Sequence, residues 1–153
     1  MKAIARFVFS ALFLALVFAL ACGNAGAQGR HPAYLHALTD LRHARAHLER
    51  QDGGALREEE KEAIRQIDDA INEIKKASID DGKDLNDHPP VDAGLDRTGR
   101  LHRAKELLEK ARQDISHEED NGVAQGLQQR AFGHIDHAIH EVNDAIRLVA
   151  SRD

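Results

Sequence analysis

Histidines and carboxylates at helical spacing are the residues of this chain whose types and positions suit chemistry. In one segment His36, Asp40, His43 and His47 follow one another at intervals of three or four. Residues at this spacing project from the same side of an α-helix. Imidazole and carboxylate are ligands that divalent transition metals accept. On a helical wheel the four side chains point away from the apolar stripe of their segment, which predicts a water-facing metal site.

A second group of donors lies near the end of the chain. His137 and Glu141 are four apart, as are His140 and Asp144, and the two histidines are three apart. All four point away from the apolar stripe of their segment on a helical wheel. The spacing therefore predicts a second cluster of nitrogen and oxygen ligands, somewhat wider than the first.

The donor types limit what these clusters could hold. Imidazole and carboxylate suit Cu(II), Ni(II) or Zn(II), and the order of affinities favours copper at equal availability. Sites on a single helix keep open coordination positions, so they bind more weakly than enclosed structural sites. Each ring must be neutral to bind, so affinity falls as the pH drops through the histidine range near ~6.5.

A hydrophobic leader precedes the histidine-bearing part. Lys2 and Arg6 form a positive start, an apolar run extends over 7–21, and residues 25–27 read Ala-Gly-Ala. This is typical of a bacterial signal peptide of residues 1–27, with the mature chain exported to the periplasm or secreted. The alternatives are a lipoprotein anchored at Cys22, which is the only membrane attachment expected after cleavage, and an uncleaved anchor.

The composition of the remaining chain excludes several functions. The one Cys and the one Met both lie in the leader, so the mature chain has no disulfide, thiolate or thioether site. It carries 19 Lys and Arg against 26 Asp and Glu, with two aromatic residues, which is unfavourable for nucleic-acid binding. It has no His-Glu-x-x-His motif and no serine in a glycine-flanked elbow. We therefore expect a protein that is not an enzyme.

Apolar residues recur at helical spacing in four segments, at about 31–50, 57–79, 97–119 and 127–150. Each stripe is narrow and the rest of each segment is charged, which is typical of a helix that buries one side in a bundle. We predict an all-α fold, a four-helix bundle.

The domain organisation follows from a repeat. Leu41-Arg42-His43-Ala44 aligns with Leu101-His102-Arg103-Ala104, and the segment 67–74 aligns with 135–142. Two copies of one antiparallel helical hairpin supply four helices, which favours a four-helix bundle. We predict one domain over 28–153, with a hairpin at 31–79, a linker at 80–96 and a hairpin at 97–150. The linker is long enough either to cross the bundle or to fold as a surface loop.

The segment from His134 to Glu141, His-Ile-Asp-His-Ala-Ile-His-Glu, together with the leader, resembles the small metal-binding protein family of the bacterial periplasm. That family consists of exported, Cys-free, His-rich four-helix bundles. The resemblance implies binding of several divalent metals, copper foremost, in a buffering or scavenging role. The chain departs from the family pattern because its second helical segment has no histidine and its 80–96 connection is long.

Two functions of different classes remain open. One is periplasmic binding of copper, nickel or zinc through the two clusters. The other is a non-catalytic helical scaffold or protein-interaction module of the envelope whose histidines are incidental, because His–Asp and His–Glu pairs also stabilise helices without metal.

Overall fold

The computed structural model describes residues 32–50, 56–76, 89–91, 94–116 and 122–152. Nearly all of them belong to four helices, which are α1 (Pro32–Glu49), α2 (Glu58–Lys76), α3 (Arg97–Ile115) and α4 (Gly122–Ala150). The predicted all-α four-helix bundle is confirmed. The leader of residues 1–27 and most of the predicted 80–96 linker lie outside the described residues. None of the helices in the described ranges combines the length and the apolar character that a membrane crossing requires.

Local hydrogen bonds at the helix starts explain where α2 and α3 begin. Asp96 caps α3, because its side chain accepts a hydrogen bond from the Gly99 backbone N–H at 2.7 Å. At the start of α2 the Glu60 carboxylate accepts a hydrogen bond from the Arg57 backbone N–H at 2.9 Å, which is half of a capping box. α2 also opens with three glutamates and closes with two lysines, as the helix dipole favours.

The prediction that the fourth helix starts near residue 127 is wrong, because α4 begins at Gly122. Glycine is tolerated at the start of a helix, and no proline follows it in the first turns. The Gln128 side chain donates a hydrogen bond to the Ile115 carbonyl oxygen at 2.6 Å. This bond satisfies one of the last carbonyl groups of α3 and holds the α3–α4 corner together.

The core repeats one pattern in every helix. A buried alanine is followed four residues later by a buried leucine, isoleucine or valine, and the alanines recur every seven residues in α1, α2, α3 and α4. Alanine lets neighbouring helices approach closely, while leucine and isoleucine fill the space between them. The fully buried alanines of this pattern are Ala37, Ala44, Ala63, Ala70, Ala104, Ala111, Ala131 and Ala138.

Four pairs of helices pack against each other, namely α1 with α2, α1 with α3, α2 with α4, and α3 with α4. The helices therefore form a ring in the order α1, α2, α4, α3. Ion pairs between described residues cross all four seams between neighbours, at 2.5 to 2.8 Å, and they include Arg45–Asp68, Lys110–Asp40, Arg130–Glu73 and Arg112–Asp136. The helix pairs that lie diagonally across the ring are α1 with α4 and α2 with α3.

The helix directions follow from contacts near the helix ends. Arg97, the first residue of α3, donates to Glu60 in the first turn of α2, at 3.0 Å from Arg97 Nε to Glu60 Oε1. α2 and α3 therefore start at the same end of the bundle and run in parallel, while each helix is antiparallel to its neighbours in the ring. The end of α2 at Lys76 and the start of α3 at Arg97 therefore lie at opposite ends of the bundle.

Candidate metal-binding site

The first predicted cluster does not lie on one water-facing side of α1. Asp40 is only 6% exposed, and its Oδ2 lies 2.8 Å from Lys110 Nζ of α3. His47 is also 6% exposed. The prediction that Asp40 and His47 face water is therefore wrong. For Asp40 the reason is that α3 packs beside it through Lys110, and a helical wheel of one helix contains no information about its second neighbour.

The Asp40 carboxylate forms an ion pair between α1 and α3. Its hydrogen bond and its negative charge raise the pKa of Lys110, which therefore stays protonated at neutral pH. A metal ion that took Asp40 as a ligand would have to displace this lysine. Asp40 is thus part of the α1–α3 seam, and its assignment as a metal ligand remains a prediction.

His36 and His43 keep an accessible position on α1. His36 is exposed and His43 is half-buried. His43 Nδ1 lies 2.9 Å from the Thr39 carbonyl oxygen, so the ring donates from Nδ1 and its Nε2 carries the lone pair in the neutral form. A hydrogen bond of this kind fixes the orientation of a ring that ligates metal through the other nitrogen.

The second predicted cluster lies on the outer side of α4 as expected. His137 and His140 are exposed, and Glu141 and Asp144 are half-buried. His140 Nε2 is 3.7 Å from Asp144 Oδ2, one turn further along the helix. Asp144 also forms an ion pair with Arg147. The outer side of α4 therefore presents two histidines and two carboxylates on adjacent turns.

α2 adds carboxylates beside these histidines, which the sequence analysis did not identify. Hydrogen bonds from Arg65 and Gln66 lower the pKa of Glu62 to about 2, and an electrostatic interaction with His137 makes a smaller contribution to the shift. The Glu62 carboxylate is thus ionised at neutral pH, and it lies close enough to His137 to interact with it electrostatically. The second helical segment has no histidine in its sequence, so only the antiparallel packing of α2 on α4 shows that it faces the α4 imidazoles.

A groove of about 530 Å³ lies on the same seam between α2 and α4. Its lining includes Asp69, Glu73 and His134. His134 Nδ1 lies 2.7 Å from Gln66 Oε1, so the imidazole joins the two helices through a hydrogen bond. Glu73 accepts hydrogen bonds from Arg130 and Lys76, and the hydrogen bond from Lys76 is the main cause that lowers the pKa of Glu73.

Within the part of the chain that the structure describes, no three His, Cys, Asp or Glu side chains are already gathered closely enough to hold a metal ion. The donors on α4 therefore form pairs rather than a finished site. Comparison of the chain with protein-family models, with curated proteins and with solved structures gives no match. The resemblance to the periplasmic metal-binding family stays a prediction from the residues.

Proposed function

We propose that this protein is exported and binds divalent metal ions, copper foremost and also nickel or zinc, on the outer side of α4. The observation that supports this function is the exposure of His137 and His140 one turn apart, with a carboxylate four residues after each. An i, i+4 pair can close a chelate around one ion, because its side chains lie on the same side of the helix.

The charges around the histidines favour a cation. Glu62 of α2, which is ionised at neutral pH, and the carboxylates of Glu141 and Asp144 add negative charge next to the imidazoles of His137 and His140. Arg65 and Arg147 offset part of that charge through their ion pairs. This partly offset negative charge suits a metal ion that is bound reversibly, with water completing its coordination. Reversible binding is what a buffering or scavenging role requires.

We expect a second, weaker metal site on α1, formed by two of the four ligands that the sequence predicts. His36 and His43 are accessible, whereas Asp40 is paired with Lys110 and His47 is buried. His36 and His43 are seven residues apart, about 10 Å along the helix. Each would therefore act as a separate single ligand, so we expect α4 to bind the first equivalent of metal.

Titration of the purified protein with Cu(II) near neutral pH tests this function. We expect His137→Ala combined with His140→Ala to weaken the first binding event by at least about tenfold, which corresponds to about 1.4 kcal/mol. The matched control is His102→Ala combined with Gln129→Ala, two exposed helix positions away from the cluster, which should leave that event unchanged. If both double variants bind copper as the parent does, α4 is not the site.

A helical scaffold of the cell envelope is the second candidate function. It is favoured by the seam ion pairs, which show that much of the charge on these helices serves helix packing. It is favoured also by the lack of three gathered donors in the described ranges. This function predicts no copper binding that competes with a mild chelator, and one specific protein partner recovered from the envelope.

A further inference from the structure

A chain of hydrogen bonds crosses the seam between α2 and α4 and ends on an imidazole outside the two predicted clusters. The Gln66 side chain donates from Nε2 to Glu62 Oε1 at 2.8 Å, and Gln66 Oε1 lies 2.7 Å from His134 Nδ1. Gln66 is only 6% exposed, so the packing of α2 on α4 holds its amide in place. One buried amide therefore connects a carboxylate of α2 with a histidine of α4.

The carboxylate sets the direction of each bond in this chain. A glutamate is ionised at neutral pH, and hydrogen bonds from Arg65 and Gln66 lower the pKa of Glu62 further, to about 2. Because an ionised carboxylate only accepts hydrogen bonds, the NH2 group of Gln66 must face Glu62 and its carbonyl oxygen must face His134. Nδ1 of His134 is thus the protonated ring nitrogen. In the neutral ring the lone pair therefore lies on Nε2.

The ring nitrogen that carries this lone pair is open to water. His134 lines the groove between α2 and α4. Among the described residues, Nε2 of His134 takes part in no hydrogen bond, and it is not one of the buried polar atoms that lack a partner. A ligating histidine commonly has one ring nitrogen held by a hydrogen bond and binds metal through the other. His134 has this arrangement before any metal is bound.

His137 faces the same turn of α2 as His134. Glu62, where the chain of hydrogen bonds begins, interacts electrostatically with His137. His134 and His137 are three residues apart, which makes them neighbours on the surface of α4. His140 is six residues from His134, about 9 Å along the helix axis and about 120° around it. The imidazole that can share an ion with His134 is therefore that of His137.

The carboxylates of the groove already have partners. Asp69 forms an ion pair with Arg65 at 2.8 Å, and Glu73 forms one with Arg130 at 2.8 Å. Imidazole nitrogen is thus the main donor left for a metal at this seam. Nitrogen donors suit Cu(II), Ni(II) and Zn(II), whereas Ca²⁺ and Mg²⁺ prefer oxygen.

We propose that His134 joins His137 as a ligand of the first metal ion on α4, and that Gln66 is a positioning residue that presets the tautomer of His134. This inference rests on the proposed function and adds a ligand to the same site. His134 acts together with His137, because one imidazole alone forms no chelate. The bound ion then lies toward the α2–α4 seam.

Nuclear magnetic resonance of the ring nitrogens tests the tautomer in the metal-free protein, at about pH 8, where histidine rings are neutral. We expect His134 to be protonated on Nδ1, which is the less common form of a free imidazole in water. Gln66→Met keeps the length of the side chain and removes the amide, so it should shift His134 toward the Nε2-protonated form. His102 on α3 is the control and should not respond to this substitution. A parent protein with His134 protonated on Nε2 would overturn the proposal, and this result does not depend on the folding of any variant.

Titration with Cu(II) near neutral pH tests the ligand. His134→Ala should weaken the first binding event by at least about fivefold, and Gln66→Met should weaken it by a smaller factor, because it removes only the preset tautomer. His102→Ala, at an exposed position of α3, should leave the event unchanged. Circular dichroism confirms that each variant keeps its helices.

The variant that combines His137→Ala with His140→Ala distinguishes failure of this inference from failure of the proposed function. If that variant binds copper more weakly while His134→Ala binds it as the parent does, the proposed function stands and His134 is not a ligand. If neither variant differs from the parent, both proposals are wrong. If only His134→Ala weakens binding, the pairing of His134 with His137 is wrong.

Discussion

Replacing Glu60 by alanine should destabilise the bundle far more than replacing its neighbour Glu58. The Glu60 side chain is 5% accessible, and it joins the starts of α2 and α3 by accepting hydrogen bonds from the Arg57 backbone N–H and from the Arg97 guanidinium. Losing a helix cap costs about 1 kcal/mol. Losing hydrogen bonds to a charged group costs about 1.5–3 kcal/mol. Arg97 is 31% accessible, so water can hydrate part of its guanidinium once Glu60 is removed. We therefore expect Glu60→Ala to lower the free energy of unfolding by about 2–3 kcal/mol in total.

Urea unfolding followed by circular dichroism at 222 nm, a wavelength that reports helix content, measures this loss. Glu58 is the matched control because it lies in the same first turn and its side chain is 85% accessible, with Lys61 as its partner. Glu58→Ala should cost less than about 0.5 kcal/mol. A double-mutant cycle of Glu60→Ala with Arg97→Ala should give a coupling of about 1–2 kcal/mol. If Glu60→Ala costs no more than Glu58→Ala, this contact does not fix the start of α3 beside the start of α2.

Three further outcomes follow from the packing and the charges. Ala104→Leu should overfill the core and lower the free energy of unfolding by about 1–3 kcal/mol in urea unfolding. Gln113→Leu, at an exposed position of α3, should change the free energy of unfolding by less than about 0.5 kcal/mol. Equal losses of stability in the two variants would contradict the alanine packing. Because the pKa of Glu62 is lowered from 4.5 to about 2, its stabilising contribution is complete above pH 4.5 and is lost as the pH falls toward 2. Glu62→Gln should therefore flatten the fall of the urea midpoint in that range, and an unchanged acid slope would show that Glu62 gains nothing on folding. Copper affinity measured by titration should fall as the pH drops from about 7 to about 5, because protons compete for the imidazoles; a pH-independent affinity would exclude histidine ligands.

The helices and their buried sides could be predicted from the sequence, because a helix that buries one side carries apolar residues at the helical spacing within its own segment. The stripe with Leu41 and Leu48, and the alternation of apolar and charged residues in α2, predict buried sides that the structure confirms. The start of α4 could not be predicted in this way, because glycine usually interrupts a helix, yet Gly122 begins α4. The internal repeat and the leader stay predictions.

The candidate site depends on neighbours that a single helix does not specify. Asp40 and His47 lie opposite the apolar stripe on a wheel, yet both are buried, and Asp40 pairs with Lys110 of α3. The order of the helices in the ring also brings Glu62 close to His137. Both effects come from the arrangement of helices, which is decided by contacts distant in sequence such as Arg97 with Glu60. No spacing rule within one segment contains that information.

Pulsed electron paramagnetic resonance of the protein loaded with one equivalent of Cu(II) tests the proposed binding on α4 most directly, since it detects imidazole nitrogen bound to the copper. We predict coupling to imidazole nitrogen in the parent protein, and its loss in the variant that combines His137→Ala with His140→Ala. The variant that combines His102→Ala with Gln129→Ala should keep the parent spectrum. An identical imidazole signal in all three proteins, or no such signal in the parent, would contradict the account.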